Sequence, residues 1–183
     1  MSEPILRPAT ADDVAAIATL FHQGWHDVHP GRVPDGLTAR RTPEAFLDRV
    51  TARVADTDET TVAEVEGEIA GFVMVNDEGE AEQVYVDRAH RGSGVAALLL
   101  TEAERQIAAA GHAVAFLVVV RGNDRAQAFY AKQGLGRRGR RRLPGHRLGR
   151  ALPLAVPEVH QAGALSRPAP GPEPGRRSVT VRT

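Results

Sequence analysis

The sequence predicts an α/β fold of the α+β type, a mixed and mostly antiparallel sheet flanked by helices. Three observations carry that prediction. Between Thr60 and Val86, three apolar stretches run at period two or without a break, separated by Glu66-Gly67 and by Asn76 to Gly79. On either side of them, apolar residues recur at helical spacing. From Glu82 to Val120 a strand, a long helix and an apolar strand follow one another, an arrangement that folds as a right-handed parallel crossover.

Taken in order, Ile5 to Pro8 reads as a short strand. Thr10-Ala-Asp-Asp13 then starts a helix with Val14, Ile17, Ala18 and Phe21 on one face. Pro30, Gly31, Pro34 and Gly36 break any period from Gly24 to Arg41, which predicts a long loop. Thr42 caps a second helix, with Pro43 in its first position and Phe46, Leu47, Val50 and Val54 on one face. The three meander strands are Thr60 to Val65, Ile69 to Val75 and Glu82 to Val86. A helix from about Val95 to Ala110 points Val95, Leu98, Leu99, Ala103 and Ile107 inward, and Gly111 closes it. The continuous run Ala113 to Val120 predicts a fully buried strand. Asn123 begins a last helix carrying Ala126, Phe129 and Tyr130, and Gly134 ends it.

At 183 residues, with 42% hydrophobic and 25% charged residues, the chain has the balance of one globular domain. It contains no cysteine, which excludes disulfide scaffolds, thiolate metal sites and thiol catalysis and fits a reducing cytoplasm. No apolar run approaches the ~20 residues of a membrane helix. The first residues lack the pattern of an export signal, so the expected location is cytoplasmic with no membrane partner. The formal net charge of zero is a cancellation. Residues 1–133 hold 12 basic and 21 acidic residues, and residues 134–183 hold 11 and 2. All eight aromatic residues lie at or before Tyr130, which puts the core in the first part.

Chemistry concentrates in Arg91-Gly-Ser-Gly-Val-Ala96, between a strand and a long helix. There the glycines let backbone N–H groups approach an oxyanion, the helix dipole favours negative charge, and Arg91 supplies a bidentate cation. A pyrophosphate is the natural ligand. A nucleoside-triphosphate loop is excluded, because the only lysine, Lys132, lies far from such a glycine. The dinucleotide fingerprint is met formally by Gly92, Gly94 and Ala97. However, Asp87 to Arg91 separate it from its strand, and the preceding strands read as antiparallel.

Val84-Tyr-Val-Asp-Arg-Ala-His-Arg-Gly-Ser-Gly-Val-Ala-Ala-Leu-Leu-Leu100 resembles the fourth strand, pyrophosphate loop and following helix of the GNAT superfamily of acyl-CoA-dependent N-acetyltransferases. Arg91, Gly94 and Ala96 fit the loop pattern. Asn123-Asp-Arg-Ala-Gln-Ala-Phe-Tyr-Ala-Lys-Gln-Gly134 is similar to the helix on the far side of the cofactor, and the likeness spans roughly Ile5 to Leu135. The resemblance implies that the fourth and fifth strands splay apart to form a cleft for acetyl-CoA, the acyl donor, with no metal. It implies main-chain contacts from Val84 and Val86 to the pantetheine arm. The N–H groups of Gly92, Ser93, Gly94, Val95 and Ala96 would take the pyrophosphate. Asn123 would bond the pantetheine side, though a plain helix cap accounts for it as well.

Amide formation from a thioester needs a base for the amine and an acid for the leaving thiolate. Tyr130 matches the family's general-acid tyrosine. Period-two alternation puts Glu80, Glu82, Val84 and Val86 on one side of the strand, which makes Glu82 the first candidate base and Glu80 the second. Either is also readable as a solvated strand-end charge. The acceptor is expected to be a primary amine of a small molecule or peptide, and a homodimer is possible. His22, His26 and His29 imitate a zinc helix, but Gln23 replaces the carboxylate and Gly24 interrupts the helix. Trp25, His26 and His29 are instead expected to line the acceptor pocket, with Trp25 equally readable as a core anchor.

Residues 1–156 are expected to form the domain. After Leu135, two poorly patterned strands, 136–143 and 147–156, are expected around Pro144-Gly145, within an arginine-rich ending that either diverges from the family or reflects a shifted reading frame. The Pro/Arg-rich residues 157–183 are expected to be disordered. That ending motivates a second reading, an inactive scaffold that binds nucleic acid through its arginines. The absence of aromatic interleaving and the acidic body weigh against it.

Overall fold

A computed structural model describes residues 2–56, 59–135 and 140–142. Strand β1 (Ile5–Pro8) leads through a 3-10 turn at Ala11–Asp13 into helix α1 (Val14–His26). The Asp13 carboxylate accepts from the Thr10 N–H at 2.8 Å and from Arg7 at 2.6 and 2.9 Å, tying the start of α1 to β1. A short helix α2 (Asp35–Ala39) and the longer α3 (Pro43–Asp56) follow. Strands β2 (Thr60–Val65), β3 (Glu68–Val75) and β4 (Ala81–Val86) form the meander. Then come α4 (Val95–Ala109), β5 (Val114–Phe116), α5 (Asp124–Lys132) and β6 (Arg140–Arg142).

The main sheet has the order β1-β2-β3-β4, antiparallel throughout. Its two faces carry separate cores. Ala63, Ala70, Val73, Val75, Ala81 and the α4 residues Leu99, Ala103 and Ile107 pack on one side. Ile17, Phe21 and Trp25 of α1, Phe46 and Val50 of α3, and Val62, Phe72 and Met74 of the sheet pack on the other. The apolar stripes of the helices follow the 3.6-residue period that buries one face of each. Leu47 and Leu98, expected inward, lie at the edges of their stripes and are 42% and 41% exposed.

Two further expectations are corrected. The loop expected from Gly24 does not start there: α1 runs through Gly24 to His26, and the segment contains α2. Gly24 is a packing glycine, since a Cβ there would lie 2.2 Å from the Tyr85 ring. The continuous buried strand expected over Ala113 to Val120 is only three residues long. It pairs with β6 in a separate two-stranded ladder, and Val118 is 63% exposed. An apolar run forms a long strand only where partners flank it, and here a single parallel bridge, from Glu80 just before β4 to Phe116, reaches β5. Apart from Arg140–Arg142, the strands expected after Leu135, the boundary at 156 and the tail all lie outside the described residues.

Candidate active site

The cleft starts from that separation. The Asp87 N–H donates to the Ala70 carbonyl at 2.8 Å, so the backbone groups of Tyr85 and Gln83 also turn toward β3. The N–H and C=O groups of Val84 and Val86 therefore turn the other way, to the edge where β5 has diverged. Their side chains pack against the core on the α4 side.

At the end of β4, Asp87 caps a 3-10 turn at Arg88–His90 by accepting from the Ala89 N–H at 2.8 Å. The chain then enters α4 through Gly92 and Gly94, at φ 85° and 96°. Gly94 is the N-cap of α4 in the left-handed conformation, and a Cβ on either glycine would meet no atom within 4 Å. Their requirement is thus conformational and not one of packing. Ser93 closes the turn, its N–H and hydroxyl donating to the His90 carbonyl at 3.3 and 2.6 Å. Among the described residues, the N–H groups of Gly92, Gly94, Val95 and Ala96 donate to no carbonyl. They lie open at the start of the α4 dipole, an arrangement chemically suited to an oxyanion.

Arg91 is not a free cation. Its guanidinium donates to Asp27, just past the end of α1, at 2.8 Å, and Arg88 bonds both oxygens of the same carboxylate. Arg88, then Arg91, hold the Asp27 pKa down to about 2 despite partial burial. The adjoining cleft, of about 490 Å³, is lined by Arg32, Arg88, Arg91, Asn123 and Arg125 as well as Asp27. The sequence reading found Arg91 and Asn123 but missed Asp27, Arg32, Arg88 and Arg125. Arg88 and Arg91, three apart just before the glycines, were its only local signal. The Asn123 side-chain oxygen accepts from the Ala126 N–H at 3.2 Å, so Asn123 does serve as a cap.

The candidate bases separate. A bulge between Met74 and Val75 puts an extra residue into β4 and breaks the expected alternation of Glu80, Glu82, Val84 and Val86. Ala81 takes the α4 side with Val84 and Val86, and Glu82 turns to α3. There Arg49 bonds one of its carboxylate oxygens, and Arg53 stands 3.5 Å from the other. Glu80 is instead pushed up by burial; the Asn76 amide, donating at 3.0 Å, offsets this in part, while Glu82 and Glu78 add to it.

Tyr130 packs edge-on to Phe129 at 5.2 Å, and burial pushes its hydroxyl up to about 12. Tyr85 is raised too, first by burial and then by Tyr130, with Arg49 and Arg41 opposing. Trp25 is 6% exposed and stacks on His29, with ring centroids 4.5 Å apart and planes at 2°. Burial pushes His29 down. His26 bonds the Arg41 carbonyl at 2.8 Å through Nε2. Among the described residues, no group of three or more His, Cys, Asp or Glu side chains is placed to hold a metal ion, and no helix is long and apolar enough to cross a membrane.

A mostly antiparallel sheet with a splayed β4 edge is the fold anticipated from the motifs, and comparison with known proteins gives the family. The profile of the acetyltransferase (GNAT) family matches residues 21–135. The chain belongs to this family. It is accordingly an acyltransferase. It is 29% identical over 142 residues to an uncharacterized N-acetyltransferase of Archaeoglobus fulgidus, covering 72% of this chain and 92% of that protein. Solved GNAT structures share the fold. PaiA N-acetyltransferase of Thermoplasma acidophilum, solved in complex with coenzyme A, has TM-score 0.56 and 18% identity over 72% of this chain and 88% of its own. YncA of Salmonella typhimurium, solved with its cofactor acetyl-CoA, has TM-score 0.58 and 20% identity over 82% of this chain and 100% of its own.

Proposed function

We propose that this GNAT protein moves the acetyl group of acetyl-CoA to a primary amine of a small molecule or peptide by direct attack. One observation carries the reading: the unpaired β4 edge, with the backbone groups of Val84 and Val86 facing outward, leads through the Arg88–His90 turn to the open N–H groups of Gly92, Gly94, Val95 and Ala96. A pantetheine arm hydrogen-bonds along such an edge while its pyrophosphate sits on such a loop. The coenzyme A and acetyl-CoA bound to the structural relatives support the same donor.

Glu80 is the better base of the two carboxylates. Its raised pKa makes it the stronger proton acceptor, whereas Glu82 is neutralised by Arg49 and Arg53. The amine gives its proton to Glu80, directly or through water, and its nitrogen attacks the thioester carbon. As the tetrahedral intermediate collapses, the C–S bond breaks and the sulfur takes the Tyr130 proton. A tyrosine raised to about 12 is protonated at neutral pH, as an acid must be.

Release of CoA thiol in the presence of a panel of amines tests the reading. Tyr130→Phe should lower kcat by about 10²-fold, the range of a lost acid–base group, while leaving half-saturation for acetyl-CoA nearly unmoved. Unchanged kcat would remove Tyr130 from the mechanism.

A further inference from the structure

Arg41, in the connection leading into α3, differs from Arg49, Arg88 and Arg91. Arg49 is bonded to Glu82, and Arg88 and Arg91 to Asp27. The Arg41 guanidinium lies 5.7 Å over the Trp25 ring and 6.0 Å from Phe46, and among the described residues it has no carboxylate partner. Its Nε is buried without a hydrogen bond. Leaving a cation in such surroundings is costly unless an anion joins it. Burial, then Arg49, lowers its pKa, with Tyr85 opposing. The backbone of Arg41 is held in place: its N–H donates to the Thr38 carbonyl at 3.1 Å and its carbonyl accepts from His26. Thr38 Oγ1, in the same turn, is likewise buried without a partner.

The location gives this unpaired cation its meaning. Phe46, beside Arg41, packs on Phe21 at 4.6 Å, and Phe21 packs on Tyr85 at 5.1 Å. Arg41 thus stands on the α1/α3 side of β4, across the sheet from the core that packs on α4. We propose that Arg41 determines acceptor specificity, and that the acceptor is an amine bearing a carboxylate, such as a free amino acid, whose carboxylate pairs with the Arg41 guanidinium. This rests on the acetyl-transfer reading and deepens it. The planar fork of arginine matches a carboxylate in a way that no neighbouring side chain here already uses. The acidic excess of residues 1–133 would by itself suggest a cationic acceptor, but binding answers to the local charge, and at Arg41 that charge is positive.

The test uses the full chain and matched pairs, each free amino acid against its carboxamide. In the wild type at least one amino acid should exceed its amide in kcat/KM by about 10- to 100-fold, the range of a hydrogen bond to a charged group. Arg41→Gln should collapse that ratio mainly through KM for the acid, and Arg41→Lys should restore part of it. Trp25 is the only tryptophan, so its fluorescence reports carboxylate binding beside it without turnover. Titration of the CoA-saturated protein with the same acids should change the emission of the wild type and not of Arg41→Gln. Equal use of acid and amide, an acid preference that survives in Arg41→Gln, or a Trp25 signal blind to every acid would each overturn the proposal. Failure of the underlying reading looks different: acetyl-CoA itself would not bind in calorimetry.

Discussion

The donor and acceptor halves of the proposed site are built from different materials. The donor half is backbone: the outward groups of Val84 and Val86, the left-handed Gly94 and the first N–H groups of α4, with the Arg88 and Arg91 charges already answered by Asp27. The acceptor half is side chain: Trp25 from α1, Arg41 and Arg49 from around α3, and Tyr85 and Glu80 from β4 and its approach, of which Arg41 alone is a cation without a counter-charge among the described residues. It follows that the donor half should be sensitive to backbone conformation and forgiving of side-chain loss, and the acceptor half the reverse.

Gly94→Asp should have the largest effect. It forces a side chain into the left-handed region, at about 1–2 kcal/mol, and sets a carboxylate against the N–H groups that receive the anion. Acetyl-CoA affinity should fall by about 100-fold or more in calorimetry. Arg91→Ala should cost much less, about tenfold, because Asp27 already shares that guanidinium. If the two costs were reversed, the contrast between the halves would be wrong. In the acceptor half, Gly24→Ala drives a methyl into the Tyr85 ring and should destabilise the fold by about 1–3 kcal/mol, read from the denaturant midpoint. It should also raise the acceptor KM more than the acetyl-CoA KM, since Tyr85 belongs to the acceptor half.

The smallest effect lies away from both. Arg7, together with the Thr10 bonds, holds the Asp13 pKa down to about 2, from an ordinary value of 3.8. A depressed carboxylate contributes stability that is complete above its ordinary pKa and is lost as protonation proceeds. This contribution should therefore fade between about pH 4 and pH 2. Asp13→Asn should lower stability at neutral pH by roughly 1–2 kcal/mol and flatten that part of the acid unfolding curve. An acid limb identical to the wild type would show that another group sets it.

The same division explains what could be read from the chain. The donor half was legible because its determinants are local: a strand, two glycines and a helix start lie together between Val84 and Ala96. The acceptor half was not, because its contacts are long-range. Gly24 resembled a helix breaker when its reason is the ring of Tyr85, far along the chain. The alternation through Glu82 is regular in sequence, and only pairing with β3 reveals the bulge that turns Glu82 to Arg49. Ala113 to Val120 carries the composition of a buried strand, but composition does not report that β4 has turned away. Arg41 belongs to no motif, and its significance is a missing partner, which exists only in three dimensions.

Calorimetric titration of the intact protein with acetyl-CoA tests the central claim most directly. Saturable binding at one site, weakened far more by Gly94→Asp than by Arg91→Ala, is the predicted result. A well-folded protein that takes up no acetyl-CoA would contradict it.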